Sequence, residues 1–265
     1  MSDALRLTAL EKTFPIRRGL FRTARGGVRA VRPITLAVPV GETLGIVGES
    51  GCGKSTLARM LVGLIPPSAG RIEIDGQALR RADPATFGRQ IQYVFQDPIS
   101  SLNPRKTIRQ IMEVPLRRLH RMPRAAREAR IAEIFASVNL RAEFLDRYPH
   151  EFSGGQAQRI GIARALAAQA RILILDEPVS ALDVSVQAQV LNLLADLKAE
   201  FGLTYLFISH DLAVVEAVAT ASPCSISAAR RAEQPLGLLQ QPAARPNQAV
   251  PQPDSLVLEA ARARL

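Results

Sequence analysis

A glycine-rich segment at residues 48–56 carries the residues of this chain best suited to chemistry. Its sequence, GESGCGKST, fits the pattern G-x-x-x-x-G-K-[ST], in which glycines allow backbone N–H groups to surround a phosphate. In this pattern the Lys54 ammonium reaches the outer phosphates and the Ser55 hydroxyl holds a magnesium ion. The alternative is a glycine-rich turn that merely starts a helix. The apolar run before it, 44–47, and the helical pattern after it favour a phosphate site, because the positive end of a new helix attracts anions.

Polar residues also follow three other apolar, strand-like runs. They are Gln96, the pair Asp176 and Glu177, and His210. Strands that alternate with helices predict an α/β fold with a mostly parallel sheet, and such sheets bind ligands beyond the carboxyl ends of their strands. We therefore expect these four residues to lie with the phosphate loop at one edge of the sheet. Each of them alone has a simpler explanation, as a solvated acid, a structural histidine or a loop amide.

Other stretches predict the elements around this edge. Alternation from residue 5 to 9 predicts an early half-buried strand, and the arginine-rich stretch 17–32 is interpreted as a loop or hairpin tip. Between residues 103 and 147 apolar residues recur at helical spacing, which predicts an inserted helical region. Ser153 and Gln156 fit the capping box S-x-x-Q at the start of a helix that runs to about residue 168. Ser153 is then either a helix cap alone or part of an anion-binding helix end.

Composition narrows the class of protein. The chain has 265 residues, of which 47% are hydrophobic and 22% charged, typical of a globular protein. No apolar run reaches the roughly 18 residues that a membrane-spanning helix needs, and the first residues do not resemble a signal peptide. We therefore expect a cytoplasmic location. The two cysteines, Cys52 and Cys224, indicate neither a disulfide framework nor a metal site.

The net charge of +10 is concentrated in two basic stretches. Six arginines lie within residues 17–32, and a second group occupies residues 105–130. A solvated or membrane-proximal surface is favoured over a nucleic-acid groove, because the chain has no tryptophan and few aromatic residues to stack on bases. We expect no nucleic-acid partner.

In this order the motifs resemble the ATP-binding subunit of ATP-binding cassette (ABC) transporters. The resemblance covers residues 5–219, with Phe152 where many members have leucine. The matching motifs are the Walker A loop at 48–56, the Q-loop glutamine Gln96, the signature motif at 153–156, Walker B at 172–177, the D-loop at 180–183 and the switch histidine His210.

Four further stretches are similar to the oligopeptide, dipeptide and nickel importer branch of that family. They are FPIRRGLF at 14–21, SLNPR at 101–105, YPHEF at 148–152 and PVSALDVS at 178–185.

The resemblance implies a role for each matching residue. Catalytic roles fall to Glu177, His210, Gln96 and Lys54, with Glu177 as the general base that polarises the attacking water. Magnesium ligands would be Ser55, Gln96 and Asp176. Phe14 would stack on adenine. The other implied ATP contacts are Gly48, Glu49, Ser50, Gly51, Cys52, Gly53, Lys54, Ser55, Thr56, Ser153, Gly154, Gly155, Gln156 and Asp183. Phe14 alone could equally be a core or loop aromatic.

The resemblance also implies an architecture and partners. The fold would be the P-loop ABC ATPase fold, with an N-terminal antiparallel β region and a helical subdomain at about 97–168 within a domain 1–219. Two ATP molecules would lie in a head-to-tail dimer with a second ABC ATPase subunit, identical or homologous. Membrane-spanning permease subunits, and a substrate-binding protein indirectly, would place the chain at the cytoplasmic face of the membrane. Two alternatives stay open: a truncated, nonproductive ABC subunit, and a soluble ABC ATPase that is not tied to transport.

The resemblance stops near Ala219. The family continues with a sequence similar to Asp-Arg-Val-Ala-Val and further strands, whereas residues 220–265 are rich in Ala, Pro, Gln and Arg, which is typical of a poorly ordered segment. We hypothesise a frameshift. Residues 220–229 can be encoded by ACC GCG TCG CCG TGC AGT ATC TCG GCC GCG, and reading from a preceding G gives Asp-Arg-Val-Ala-Val-Gln-Tyr-Leu-Gly-Arg.

This hypothesis predicts codons 218–230 of the gene. Sequencing that region should show bases that read as the family continuation after a shift of one base, and codons incompatible with that second frame would rule the frameshift out. Loss of the last strands is expected to leave a sheet edge uncovered and to lower stability and solubility.

Overall fold

Two β-sheets organise the chain in the computed structural model, which describes residues 2–17, 24–79, 84–219 and 224–225. The strands are β1 (Asp3–Arg17), β2 (Ala24–Pro39), β3 (Thr43–Val47), β4 (Ala69–Ile74), β5 (Gln77–Ala78), β6 (Ile91–Val94), β7 (Ile172–Asp176), β8 (Thr204–Ser209) and β9 (Cys224–Ser225). The helices are α1 (Lys54–Leu61), α2 (Pro84–Gln90), α3 (Ile108–Arg118), α4 (Arg124–Ser137), α5 (Gly154–Ala167), α6 (Val184–Phe201) and α7 (Leu212–Val218). Two short 3-10 helices cover Ala142–Asp146 and Pro149–Glu151.

The larger sheet is parallel and has the strand order β6-β7-β8-β3-β9. Its strands β7 and β8 are buried along their whole length and consist mainly of apolar residues, as expected for strands covered on both faces. The α/β fold with a mostly parallel core sheet is therefore confirmed. The sheet places the carboxyl ends of four consecutive strands, β6, β7, β8 and β3, at one edge.

The smaller sheet is antiparallel, with the order β2-β1-β4-β5. It confirms the expected N-terminal antiparallel region. Residues 17–32 were interpreted as a loop or hairpin tip. The hairpin is confirmed, since residues 24–32 belong to β2 and pair with β1, whereas a loop is wrong for these residues. Pairing along the hairpin satisfies the backbone groups of these residues whatever their side-chain charge. Residues 18–23 lie outside the described part of the chain.

Each face of the parallel sheet has its own apolar core. One core lies between the two sheets, where α1 contributes buried Leu57, Met60 and Leu61. The other core joins the opposite face of the parallel sheet to α3–α6 and contains the fully buried Phe135 and Phe207. Helix α1, which follows the phosphate loop, is therefore fixed by burial between the sheets.

Residues 97–168 contain α3, α4, the two 3-10 helices and α5, which agrees with the helical periodicity of this stretch. Helix α5 begins at the predicted capping box, in which the Ser153 hydroxyl accepts from the Gln156 N–H and the Gln156 side chain accepts from the Ser153 N–H. The proposed division of residues 97–168 into a separate helical subdomain stays a prediction.

The segment after Ala219 is described only at Cys224–Ser225, which form β9. This strand pairs in parallel with β3, with Ile46 opposite Cys224 and Val47 opposite Ser225. The expectation of an uncovered sheet edge is therefore wrong at these two positions, where β9 pairs with N–H and C=O groups that β3 would otherwise leave free. The predictions for 220–223 and 226–265 fall outside the described residues.

Within the described ranges, every helix is too short or too polar to cross a lipid bilayer.

Candidate functional site

The phosphate loop lies between the end of β3 and the start of α1, as the motif requires. Gly53 caps the helix with φ of 101°, in the left-handed region. A Cβ atom at this position would lie 2.1 Å from the Ala30 carbonyl oxygen of β2. Only glycine therefore fits where the loop passes β2, and the hairpin β1–β2 forms one wall of the site.

The Lys54 side chain is buried inside this loop. Its ammonium group donates to the carbonyl oxygens of Gly48, at 2.5 Å, and Glu49, at 2.9 Å, and lies 3.9 Å from the Cys52 sulfur. Lys54 is only 5% exposed, so these contacts hold its positive charge inside the Gly-rich turn. Among the described residues the ammonium group has no carboxylate partner. A buried cation without a counter-ion is costly, so the loop is suited to receive an anion.

A cluster of polar side chains forms where β6, β7 and β8 end. The Gln96 amide donates to Oε2 of Glu177 at 3.1 Å, and Nδ1 of His210 lies 3.3 Å from the same oxygen. The Glu177 side chain is 17% exposed and that of His210 57% exposed, so the cluster faces solvent through the histidine. Three of the four predicted strand-end residues are thus in direct contact.

The backbone of Glu177 is held in an unusual conformation. Its φ is 48°, which is rare for a residue with a side chain and costs about 1–3 kcal/mol. Its N–H donates to the Ile208 carbonyl at 2.8 Å, and its own carbonyl accepts from the Ser180 hydroxyl at 3.1 Å. These bonds compensate the strain and fix the direction in which the carboxylate leaves β7.

The neighbouring acid Asp176 points to a different partner. Its carboxylate is buried and accepts a hydrogen bond at Oδ2 from the Tyr93 hydroxyl of β6. Burial, and then this hydrogen bond and the charge of Asp176, raise the pKa of the Tyr93 phenol far above its ordinary value, while the nearby Arg59 has a smaller opposite effect. The phenol therefore stays protonated and acts as a donor.

Two of the three predicted magnesium ligands, Asp176 and Ser55, have the donor groups that an ion arriving with a nucleotide would need. In the described part of the chain no three His, Cys, Asp or Glu side chains group together in a way that could hold a metal. Magnesium bound with nucleotide phosphates needs only one or two protein ligands, since phosphate oxygens and waters supply the rest. Asp176 offers a carboxylate, and Ser55, in the first turn of α1, offers a hydroxyl; both lie at the same edge of the sheet.

The signature residues 153–156 lie at the start of α5 and do not follow a strand of the parallel sheet. There the two glycines pack against the start of α6: added Cβ atoms would lie 3.2 Å from Leu182 for Gly154 and 2.5 Å from Val186 for Gly155. Asp183 precedes α6 with an exposed side chain that does not cap the helix. No hydrogen bond or ion pair between described residues joins this helix end to the phosphate loop.

Phe14 lies on the hairpin β1–β2, opposite Val28. The ring is 39% exposed, and the Lys12 ammonium lies 5.1 Å from its centre. The carbonyl of Ala30, on the same hairpin, is the group that approaches the phosphate loop at Gly53. The contact of Phe14 with adenine stays a prediction.

The sequence reasoning gave no individual role to two residues of the site. Ser180, which it placed in the D-loop, accepts from Gln96 at 3.4 Å, and its position three residues after Glu177 was an available signal. Tyr93 gave no signal, because its partner Asp176 is 83 positions away in the chain.

Comparisons with known proteins agree on one family. The sequence profile of the family described as "ABC transporter" matches residues 31–180. The oligopeptide transport ATP-binding protein AppF of Bacillus subtilis (strain 168) is 52% identical over 215 residues, which are 80% of this chain and 65% of AppF. The dipeptide transport ATP-binding protein DppF of Escherichia coli (strain K12) is 50% identical over 213 residues, 79% of this chain and 64% of DppF. The chain thus spans slightly less than two thirds of these curated relatives.

Among solved structures, the fold of this chain is similar to that of the ATP-binding cassette MJ0796, whose structure is a dimer in a post-hydrolysis state bound to ADP and Pi. Its TM-score is 0.72 at 28% sequence identity, over 85% of this chain and 97% of that one. The ABC ATPase fold predicted from the motifs is therefore confirmed.

The contact of Gly155 with α6 predicts a specific loss of stability. Gly155→Ala places a methyl group against the stiff Val186 side chain and should lower the free energy of unfolding by about 1–3 kcal/mol. Chemical denaturation of the purified chain measures this change.

The matched variant is Gly155→Ala combined with Val186→Ala, which removes the clashing atom. We expect the double variant to be more stable than the sum of the two single changes predicts, and additive losses would show that the two residues do not touch.

Proposed function

The chain belongs to the ABC transporter family, and from this premise we propose that it binds and hydrolyses ATP to power the import of peptides or similar small solutes. The observation that carries the proposal is the shared contact of Gln96 and His210 with the Glu177 carboxylate, at the sheet edge that also bears the phosphate loop. The names of the peptide-transport relatives support the choice of solute class and favour transport over a soluble ABC ATPase.

ATP binding is proposed to begin at the phosphate loop. Lys54 would exchange its carbonyl partners for phosphate oxygens, which replaces neutral acceptors by charged ones and so strengthens its hydrogen bonds. The N–H groups at the start of α1 and the Ser55 hydroxyl complete the cradle. Magnesium, held by Ser55, Gln96 and Asp176 together with the phosphates, would supply charge neutralisation.

Hydrolysis is proposed to depend on Glu177. Within the described residues no hydrogen bond reaches its Oε1, which is free to accept a proton from a water molecule aligned with the terminal phosphate. Gln96 and His210 hold the other oxygen and so keep the carboxylate in one orientation. Phosphoryl transfer needs such positioning more than covalent chemistry.

A dimer completes the proposed site. The exposed N-terminus of α5, with Ser153, Gly154, Gly155 and Gln156, would face the ATP of a second ABC ATPase subunit, and Asp183 would lie beside that contact. This helix end has unpaired N–H groups and a positive dipole end suited to phosphate. The dimeric state of the similar cassette MJ0796 supports the arrangement. ATP would favour the closed dimer and hydrolysis the open one.

We propose that membrane-spanning subunits dock beside α3 and so keep the chain at the cytoplasmic face of the membrane. A cavity of about 710 Å³ lies beside α3, lined by Phe87 of α2, by Phe95 after β6, and by Ile111 and Val114 of α3. Its apolar lining suits an apolar segment of a permease subunit. Since Gln96 follows β6 beside this cavity, movement there would reach the catalytic cluster.

Glu177→Gln tests the catalytic proposal. The variant should bind ATP with unchanged affinity and lose hydrolysis by about 10²-fold or more, because an amide cannot take the proton from water. Released phosphate measures turnover, and size-exclusion chromatography with ATP should show a stable dimer.

Glu200→Gln is the matched control, an exposed acid near the end of α6 that should leave turnover unchanged. A parent chain that binds ATP without turnover would favour the truncated, nonproductive subunit. Equal turnover of the parent and Glu177→Gln would remove Glu177 from the mechanism.

Val114→Asp tests the docking site. A carboxylate in the apolar cavity should lower co-purification with peptide-importer membrane subunits from the same genome by about tenfold, which is ~1.4 kcal/mol, and leave ATP binding intact. Val40→Asp, at an exposed valine in the turn that follows β2, is the control and should have no effect. Equal recovery of both variants would place the docking surface elsewhere.

A further inference from the structure

The Tyr93 hydroxyl makes a contact that the proposed mechanism does not use. Tyr93 lies in β6 and pairs with Ile174 of β7, two residues before Asp176. Its hydroxyl reaches along the sheet to donate to Asp176 Oδ2. Tyr93 is 7% exposed and Asp176 5% exposed, so the bond is shielded from water.

This bond determines which oxygen of Asp176 remains available. A buried carboxylate is costly unless donors satisfy it, and the Tyr93 hydroxyl is its hydrogen-bond donor among the described residues. Oδ2 is occupied by this bond, whereas Oδ1 has no hydrogen-bond partner in the described ranges. Carboxylates that support metal ions are commonly held in this way by an outer partner.

We propose that Tyr93 is a positioning residue, whose hydroxyl orients the Asp176 carboxylate toward the magnesium ion of bound nucleotide. The proposal rests on the proposed function, since it needs a nucleotide in the phosphate loop. It assigns Tyr93 no contact with ATP or with the ion.

The ring of Tyr93 has a separate packing role. It contacts Phe95 edge to face, with ring centres 4.4 Å apart, and forms part of the wall of the cavity beside α3. Tyr93→Phe keeps this ring and removes only the hydroxyl. The variant therefore separates the positioning of Asp176 from the packing of β6.

The parallel sheet contains a matched control. Tyr205 of β8 is 3% exposed, and its hydroxyl donates to the Leu194 carbonyl at 2.9 Å, near the amino end of the strand and away from the carboxyl ends that form the site. Tyr205→Phe likewise removes a buried, hydrogen-bonded phenol hydroxyl. The two variants should lose similar thermal stability, but only one of them removes a donor to Asp176.

The test measures how much a divalent ion improves nucleotide binding. Isothermal titration calorimetry gives the dissociation constant of the nonhydrolysable analogue AMP-PNP with Mn²⁺ and again with EDTA, and the ratio of the two constants is the metal-dependent gain. We expect Tyr93→Phe to lower this gain by about tenfold and to leave binding in EDTA unchanged. Tyr205→Phe should leave the gain at the parent value.

The outcomes separate the two proposals. If the parent binds AMP-PNP in neither buffer, the proposed function fails and the role of Tyr93 fails with it. If the parent shows the gain and Tyr93→Phe keeps it, or if Tyr205→Phe lowers it equally, only the role of Tyr93 is overturned. Circular dichroism checks folding, and Tyr93→Met, which also fills apolar space without a hydroxyl, provides the same measurement should Tyr93→Phe not fold.

Discussion

Parallel pairing of β6, β7, β8 and β3 is the constraint on which the site depends. Parallel strands end at the same edge of a sheet, so the residues that follow each strand are collected there whatever their separation in sequence. Gln96 and Glu177 are 81 positions apart in the chain, yet their side chains are in hydrogen-bond contact. A change in the register of any of these strands would move its terminal residue away from the others.

Buried charges show how the sheet edge is prepared for a ligand. Lys54 lies within the loop and is satisfied by two backbone carbonyls, whereas Asp176 is satisfied by one phenol hydroxyl. Neither charge is neutralised by an ion pair among the described residues. Their positions, a cation within the loop and a carboxylate at the adjacent strand end, suit a phosphate with its metal ion.

Packing, in contrast, determines how the helices present their ends. Helix α1 is fixed between the two sheets by its apolar residues, so the phosphate loop joins two elements that are both buried. Helix α5 is fixed against α6 by the absence of a side chain at Gly155, where even a methyl group would meet Val186. Close packing of this kind leaves the N-terminus of α5 exposed in a defined direction.

The sequence by itself determined the motifs, the order of most strands and helices, the capping box at Ser153 and the carboxyl-end location of the polar residues. These features depend on neighbours along the chain, whose spacing and residue types are visible without a structure. The tertiary structure alone decided that residues 24–32 extend a strand, that Cys224 and Ser225 pair with β3, and that Tyr93 binds Asp176. Each of these depends on contacts between distant segments, because strand register and side-chain packing are fixed only when the whole sheet forms.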